Sequence, residues 1–256
     1  MTYHGNPCWY ELGTSDLNGA GQFYGKVLGW NVENAGMEGF EYHLAKMGEA
    51  MVAGMMSNAG QEGSPPPNWV IYFAVDDCDK TAADIKAGGG QVYKEPADIP
   101  GTGRFAVVAD PQGAVFGILQ PLPMTPSDEG QSFNQQKAGH GNWNELMSSD
   151  PEAAYDFYAK LFGWSKGEAM DMGEMGTYQL LRRDDKDFGA VMGLGDAPVP
   201  AWLPYFGVEN TTAAVDRINA EGGKVLHGPI EVPGPAYIAV AQDPQGAAFA
   251  VVGPEK

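Results

Sequence analysis

Asp110-Pro111-Gln112-Gly113-Ala114 returns, residue for residue, as Asp243-Pro244-Gln245-Gly246-Ala247. An Asp followed by Pro and then Gly is turn chemistry, because Pro presets φ and Gly accepts the positive φ that closes a tight turn. Each copy runs into a short apolar stretch, Val115-Phe116-Gly117-Ile118-Leu119 and Ala248-Phe249-Ala250-Val251-Val252. Such a run after a turn reads as a strand. The copies stand about half a chain apart, so the 256 residues are read as one domain written twice.

The same doubling holds on either side of the turn. Cys8-Trp9-Tyr10-Glu11-Leu12 and Trp143-Asn144-Glu145-Leu146 read as opening strands. Ser15 or Asp16, and Asp150 followed by Pro151, are start signals for the helices behind them. Phe23, Tyr24, Val27 and Leu28 fall on one helical stripe, matched by Phe157, Tyr158, Leu161 and Phe162. Gly29-Trp30 and Gly163-Trp164 stop the two helices in the same way. Strands are expected near 30–33, 40–46 and 50–56, and again near 164–168, 177–183 and 188–194. Trp69–Val75 and Trp202–Val208 open the second pass, with helices over Asp77–Ala87 and Asn210–Glu221 and three closing strands. Gly88-Gly89-Gly90 and Gly222-Gly223 end those helices; without a strand-to-helix context they are not a phosphate loop. Each half is therefore strand–helix–three strands performed twice. Met124–Ala138, rich in Pro, Ser and Gln, reads as an exposed linker.

Composition excludes several function classes. A formal net charge of −18, with no cluster of Lys or Arg, repels phosphate backbones and anionic lipid, so no nucleic acid and no membrane is expected as partner. Cys8 and Cys78 are the only cysteines and imply no disulfide framework. Cys78 lies near a helix start, which could lower its pKa, but an ordinary unpaired thiol is the simpler account. The residues from Met1 to Gly5 have neither the basic nor the apolar part of a signal peptide, and no apolar run is long enough to span a bilayer. A cytoplasmic protein is expected.

In the order Ser15-Asp16, Phe23-Tyr24, Leu28-Gly29-Trp30, Phe73-Ala74-Val75-Asp76-Asp77 and Asp110-Pro111-Gln112-Gly113, the chain resembles the vicinal oxygen chelate superfamily. That superfamily includes glyoxalase I, bleomycin-resistance proteins and extradiol dioxygenases. The second half carries the likeness through Ser149-Asp150, Phe157-Tyr158, Phe162-Gly163-Trp164 and Asp243-Pro244-Gln245-Gly246, and the whole is similar to a two-domain subgroup often catalogued as hydroxylases. The resemblance implies an α+β fold of tandem glyoxalase-like domains, at 1–122 and 138–256 with a linker at 123–137. Four βαβββ units would form two cup-shaped half-open barrels, with ligands inside the cups.

Enzymes of the family hold a divalent metal through His, Gln and Glu on the first, fifth and eighth strands. Carried over by motif, the first-strand position falls on Trp9 and Trp143, the fifth on Val70 and Leu203, and the eighth on Gly117 and Ala250. None offers an oxygen or imidazole donor, so no metal and no cofactor is expected. His4, His43, His140 and His227 read as satisfied or exposed histidines. Glu11 and Glu145 stand two residues beyond Trp9 and Trp143, hence on the same side of their strands, facing the cups. A carboxylate in an apolar cup needs a partner or a raised pKa. Arg104 is the candidate partner of Glu11, and Tyr237 holds its place in the second half; Tyr72 and Tyr205 are expected to point inward.

Three functions remain open on these residues. Trp9, Tyr72, Arg104, Trp143, Tyr205 and Tyr237 suit a small, partly aromatic or cationic ligand held by stacking and cation–π contacts. Glu11 and Glu145 would alternatively serve as general bases of a metal-independent lyase, isomerase or hydroxylase. In the third reading the Trp side chains fill closed cups and the duplication is structural. The expected partner is a small molecule, and the chain is compatible with a monomer of two pseudo-symmetric domains.

Overall fold

The computed structural model describes residues 3–37, 39–59, 63–122, 132–173 and 176–256. The first half contains β1 (Pro7–Thr14), α1 (Leu17–Leu28), β2 (Asn31–Asn34), β3 (Tyr42–Met47) and β4 (Ala50–Ser57). It continues with β5 (Asn68–Ala74), α2 (Cys78–Ala87), β6 (Gln91–Ile99), β7 (Gly103–Ala109) and β8 (Val115–Pro121). The second half repeats the order as β9 (Gly141–Ser148), α3 (Pro151–Phe162), β10 (Ser165–Asp171), β11 (Thr177–Arg183) and β12 (Lys186–Gly193). Then follow β13 (Ala201–Gly207), α4 (Thr211–Ala220), β14 (Lys224–Val232), β15 (Ala236–Gln242) and β16 (Ala248–Gly253). Among the described residues the strands form two eight-stranded sheets. No helix there is long and apolar enough to cross a membrane.

Helix starts follow the sequence signals. The carboxylates of Asp16, Asp77 and Asp150 and the amide oxygen of Asn210 each accept from a backbone N–H in the first turn of the following helix. Gly29 ends α1 in the left-handed conformation at φ 78, where its N–H donates to the Gly25 carbonyl.

Packing sorts these elements differently from the repeat. One compact unit comprises Met1–Cys8, Ile71–Glu129 and Asn144–Trp202; the other comprises Trp9–Val70, Gly130–Trp143 and Leu203–Lys256. The first unit therefore joins α2 and the strands of order β5-β8-β7-β6 to α3 and the strands of order β10-β11-β12-β9. The second joins α1 and β2-β3-β4-β1 to α4 and β13-β16-β15-β14. The linker expected at 123–137 divides the sequence repeat, and each compact unit takes one βαβββ piece from either side of it. Residues 123–131 of that linker lie outside the described residues. Of the rest, Ser132 is buried and donates to the Met51 carbonyl at 3.2 Å, and the Asn134 N–H bonds the Gly141 carbonyl at 2.9 Å. Of these described residues only 135–137 are exposed, so the expectation of an exposed segment does not hold at Ser132 and Asn134, which are tied down by hydrogen bonds.

Each core is an aromatic cluster drawn from both halves of the sequence. In the second unit Tyr24 stacks on Trp30 at 5.6 Å and meets Trp69 and Phe249 edge-on, while Trp30 meets Phe206 at 5.1 Å. In the first unit the repeat counterparts do the same: Tyr158 stacks on Trp164 at 5.5 Å and packs against Trp202 and Phe116, with Phe73 against Trp164 at 5.0 Å. Edge and offset contacts of this kind add to plain area burial.

Candidate functional site

Alternation along β1 puts Tyr10 and Leu12 wholly inside, and Trp9 and Glu11 on the other face, half-buried. Glu11 pairs with Gly54 of β4, Gly54 with Leu44 of β3, and Met56 with Tyr42, so Tyr42 shares the face of Trp9 and Glu11. The three close into a chain. Trp9 Nε1–H donates to Tyr42 Oη at 3.0 Å, and Tyr42 Oη–H donates to Glu11 Oε2 at 3.0 Å. Burial pushes the Tyr42 phenol well above its ordinary pKa, with the Glu11 charge adding to it, so the phenol is a standing donor to the carboxylate. Phe40 lies over Tyr42 at 6.1 Å and 26° and is itself 43% exposed. Gly54 makes this possible, since a Cβ there would stand 1.8 Å from Tyr42 Oη.

The first unit repeats the pair on the corresponding strands. Tyr178 of β11 donates to Glu145 Oε2 of β9 at 2.9 Å, and Glu145 is buried at 8% exposure. Tyr42 and Tyr178 were not singled out in the sequence; each lies one strand removed from its Glu on the same face, and strand register is what brings them there.

The remaining expected site residues separate by face. Tyr72 is buried and lies flat across Gly117 of β8, where a Cβ would come within 2.1 Å of its ring; Phe105 flanks it at 6.5 Å. Tyr205 is likewise buried, opposite Ala250 of β16. Arg104 corrects the expectation. Tyr72 pairs with Gly117 and Gly117 with Val107, so Val107 and Phe105 share the Tyr72 face and Arg104 takes the opposite one, toward α2. Its guanidinium forks onto Asp79 at 2.6 and 2.9 Å and reaches Asp98 at 2.8 Å; these carboxylates, not Glu11, are its partners. Tyr237 is corrected for the same reason. Ala250 pairs with Val240, which puts Tyr237 with buried Ala239 on the face opposite Tyr205, where its carbonyl accepts from the Thr211 hydroxyl.

The residues at the family's metal-binding positions do not fit a metal. Trp9 donates through its indole N–H and has no lone pair to offer, and Val70, Leu203 and Ala250 have no donor atom. Gly117 is covered by the Tyr72 ring, so a ligating side chain could not be accommodated there without moving it. No cluster of three or more His, Cys, Asp or Glu that could hold a metal occurs among the described residues. Three histidines have local partners: His4 Nε2 meets the Leu161 carbonyl at 3.0 Å, His140 Nδ1 the Ala138 carbonyl at 3.0 Å, and His43 Nε2 Glu41 at 3.3 Å. His227 is exposed. Burial outweighs the helix start at Cys78, pushing its thiol up to about 11, and raises Cys8 as well; neither is a reactive thiolate.

A second Trp–Tyr–carboxylate chain went unread in the sequence and lies in each core. In the second unit Trp69 Nε1–H donates to Tyr24 Oη at 2.9 Å, and Tyr24 Oη–H to Asp243 Oδ2 at 3.0 Å. In the first unit Trp202 donates to Tyr158 at 2.9 Å and Tyr158 to Asp110 at 3.1 Å. The other oxygen of each Asp accepts two backbone N–H groups of its own turn, Gln112 and Ala114 or Gln245 and Ala247. Burial still leaves both carboxyls above the ordinary Asp pKa, because desolvation exceeds what the hydrogen bonds return. These chains are fully enclosed, and they fasten the repeated turn of one half to the first helix of the other.

Comparison with known proteins agrees with this fold. The family model described as Glyoxalase/Bleomycin resistance protein/Dioxygenase superfamily matches residues 8–118 and 140–251. CFP32 of Mycobacterium tuberculosis, which carries the name "Putative glyoxylase", is 32% identical over 98% of this chain and 95% of its own. The anthracycline biosynthesis protein DnrV of Streptomyces peucetius is 31% identical over 97% of this chain and 93% of its own. Among solved structures, the Mn(II)-bound glyoxalase of Novosphingobium aromaticivorans superposes with a TM-score of 0.66 at 17% identity, covering 100% of this chain and 84% of that one. The 2,3-dioxygenase LapB of Pseudomonas sp. KL28 gives 0.67 at 16%, covering 100% and 94%; at such identities these two likenesses speak for the fold alone. With the family model spanning both repeats and relatives above 30% identity over nearly the full length, the chain belongs to the glyoxalase/bleomycin resistance/dioxygenase superfamily.

Proposed function

We propose that the protein binds a small, partly aromatic molecule flat against Trp9, Tyr42 and Phe40, with Glu11 as its polar anchor and without a divalent metal. The observation that carries this is the Trp9–Tyr42–Glu11 chain, in which Trp9 donates to the Tyr42 hydroxyl and Tyr42 in turn donates to a carboxylate on a half-buried face. A carboxylate held this way is preorganised to accept a ligand O–H or N–H, and the rings beside it present stacking surface. The Tyr178–Glu145 pair supports a second such place in the other unit. DnrV lends the ligand class: anthracyclines are fused, hydroxylated aromatic rings, a shape that fits a flat aromatic face. Proton transfer to Glu11, with Tyr42 remaining its donor, is the route by which a lyase or isomerase step would run here.

The test is tryptophan fluorescence titrated with dihydroxyanthraquinone. Wild type should show saturable quenching, and Glu11→Gln should weaken binding by about tenfold to a hundredfold, since a hydrogen bond to a charged group contributes ~1.5–3 kcal/mol. Unchanged affinity in Glu11→Gln would overturn the reading.

A further inference from the structure

On the α1 side of the second unit, between that helix, β2 and β3, lies an open depression of ≈ 220 Å³ lined by Leu17, Asn18, Gly21, Gln22, Val32 and His43. His43 pairs with Met55, and Met55 with Leu12, so the depression is on the sheet face opposite Trp9, Tyr42 and Glu11. It is thus separate from the binding face proposed above.

The internal repeat shows what fills the equivalent space. The counterparts of Gly21, Val32 and His43 are Tyr155, Lys166 and Gln179. In the first unit the Tyr155 ring lies under Lys166 Nζ, 4.7 Å from its centroid, and its hydroxyl donates to the Trp164 carbonyl at 3.3 Å. The first half keeps the same helix and strands but has glycine there, and a Cβ on Gly21 would meet only the Val32 side chain, at 3.2 and 3.6 Å. The first copy therefore lacks the phenol ring, and the corresponding volume is open. An apolar cavity of about 150 Å³ takes up benzene, so the depression has room for a ring with a substituent.

We propose that this depression is a second small-molecule site, and that it takes one planar aromatic ring bearing an uncharged hydroxyl. Leu17, Gly21 and Val32 offer the ring apolar surface, and Asn18, Gln22 and His43 supply donors and acceptors for the hydroxyl. No Lys, Arg, Asp or Glu lines it, and Glu41 stands 3.3 Å from His43 Nε2, so an anionic ligand is disfavoured.

The probe is para-cresol, the side chain of tyrosine itself, titrated into isotope-labelled full-length protein and followed by NMR. Saturable shifts should centre on Gly21, Gln22, Val32 and His43. The double substitution Gly21→Tyr with Val32→Lys copies the filled arrangement and should lower affinity at least about tenfold. Should that variant fail to fold, His43→Gln, which installs the residue of the other copy, carries the test and should weaken binding severalfold. Glu11→Gln should leave this binding unchanged, which separates the proposal from the one before it. Absence of saturation, shifts centred on Trp9 and Tyr42, or wild-type affinity in the foldable variants would overturn it.

Discussion

Gly54 has no side chain, and for that reason Tyr42 can lie across β4 and reach both Trp9 and Glu11. Gly54→Ala would push the phenol off this position. We expect it to abolish the dihydroxyanthraquinone response and to cost about 1–3 kcal/mol in urea unfolding, the usual effect of overpacking. The buried carboxyls of Asp110 and Asp243 make a different residue-scale prediction. Their pKa values are raised, so the folded chain holds these protons more tightly than the unfolded one. Their contribution to stability therefore improves as pH falls from above the raised values toward the unfolded Asp value near about 3.9, and is flat below that. Asp110→Asn with Asp243→Asn should remove this slope: the difference in urea midpoint between variant and wild type should be largest, in favour of wild type, at the acid end. The opposite slope would mean that the tyrosine and backbone donors outweigh burial.

At the scale of single elements, the turn between β11 and β12 is built from two non-glycine residues with positive φ, Asp184 at 47 and Asp185 at 61. Two-residue hairpin turns of this hand favour Asn-Gly. Asp185→Gly should raise stability by about 0.5–1 kcal/mol, read as a later chemical denaturation midpoint, because the strain of positive φ in a side-chain-bearing residue disappears. Arg104 tests the face assignment on β7. Its ion pairs with Asp79 and Asp98 are solvent-facing, so Arg104→Ala should leave the urea midpoint nearly unchanged and the ligand response at Glu11 intact. Element identity was legible in the sequence because caps, stripes and turns are local: Asp16, Asp77, Asp150 and Asn210 announce their helices wherever the chain goes afterwards. The Trp9–Glu11 face was legible for the same reason, being alternation within one strand. Tyr42, Arg104 and Tyr237 were not, because their faces depend on register across neighbouring strands, and one residue of slip exchanges the two faces. The Tyr24–Asp243 and Tyr158–Asp110 bonds were further still from view, joining residues 219 and 48 positions apart that lie on opposite sides of the connector.

For the whole molecule, the metal question has a direct answer in bulk. Purified protein should retain no stoichiometric Zn, Ni, Fe or Mn after gel filtration without chelator, and dihydroxyanthraquinone binding should survive EDTA treatment. About one metal per chain by elemental analysis would contradict the fit at Trp9, Val70 and Gly117. The composition of the compact units has another outcome. Each takes a βαβββ piece from both sides of the connector, and each is pinned inside by a Trp–Tyr–Asp chain whose members come from both sides. A backbone break between Leu122 and Ser132 would therefore leave two polypeptides that each own half of both cores. Neither fragment could leave without dismantling two hydrophobic interiors at once, so the nicked protein should elute as one species and come apart only on denaturation. The gene is in effect a split protein already joined, and its two parts, expressed separately, should find each other and rebuild the fold.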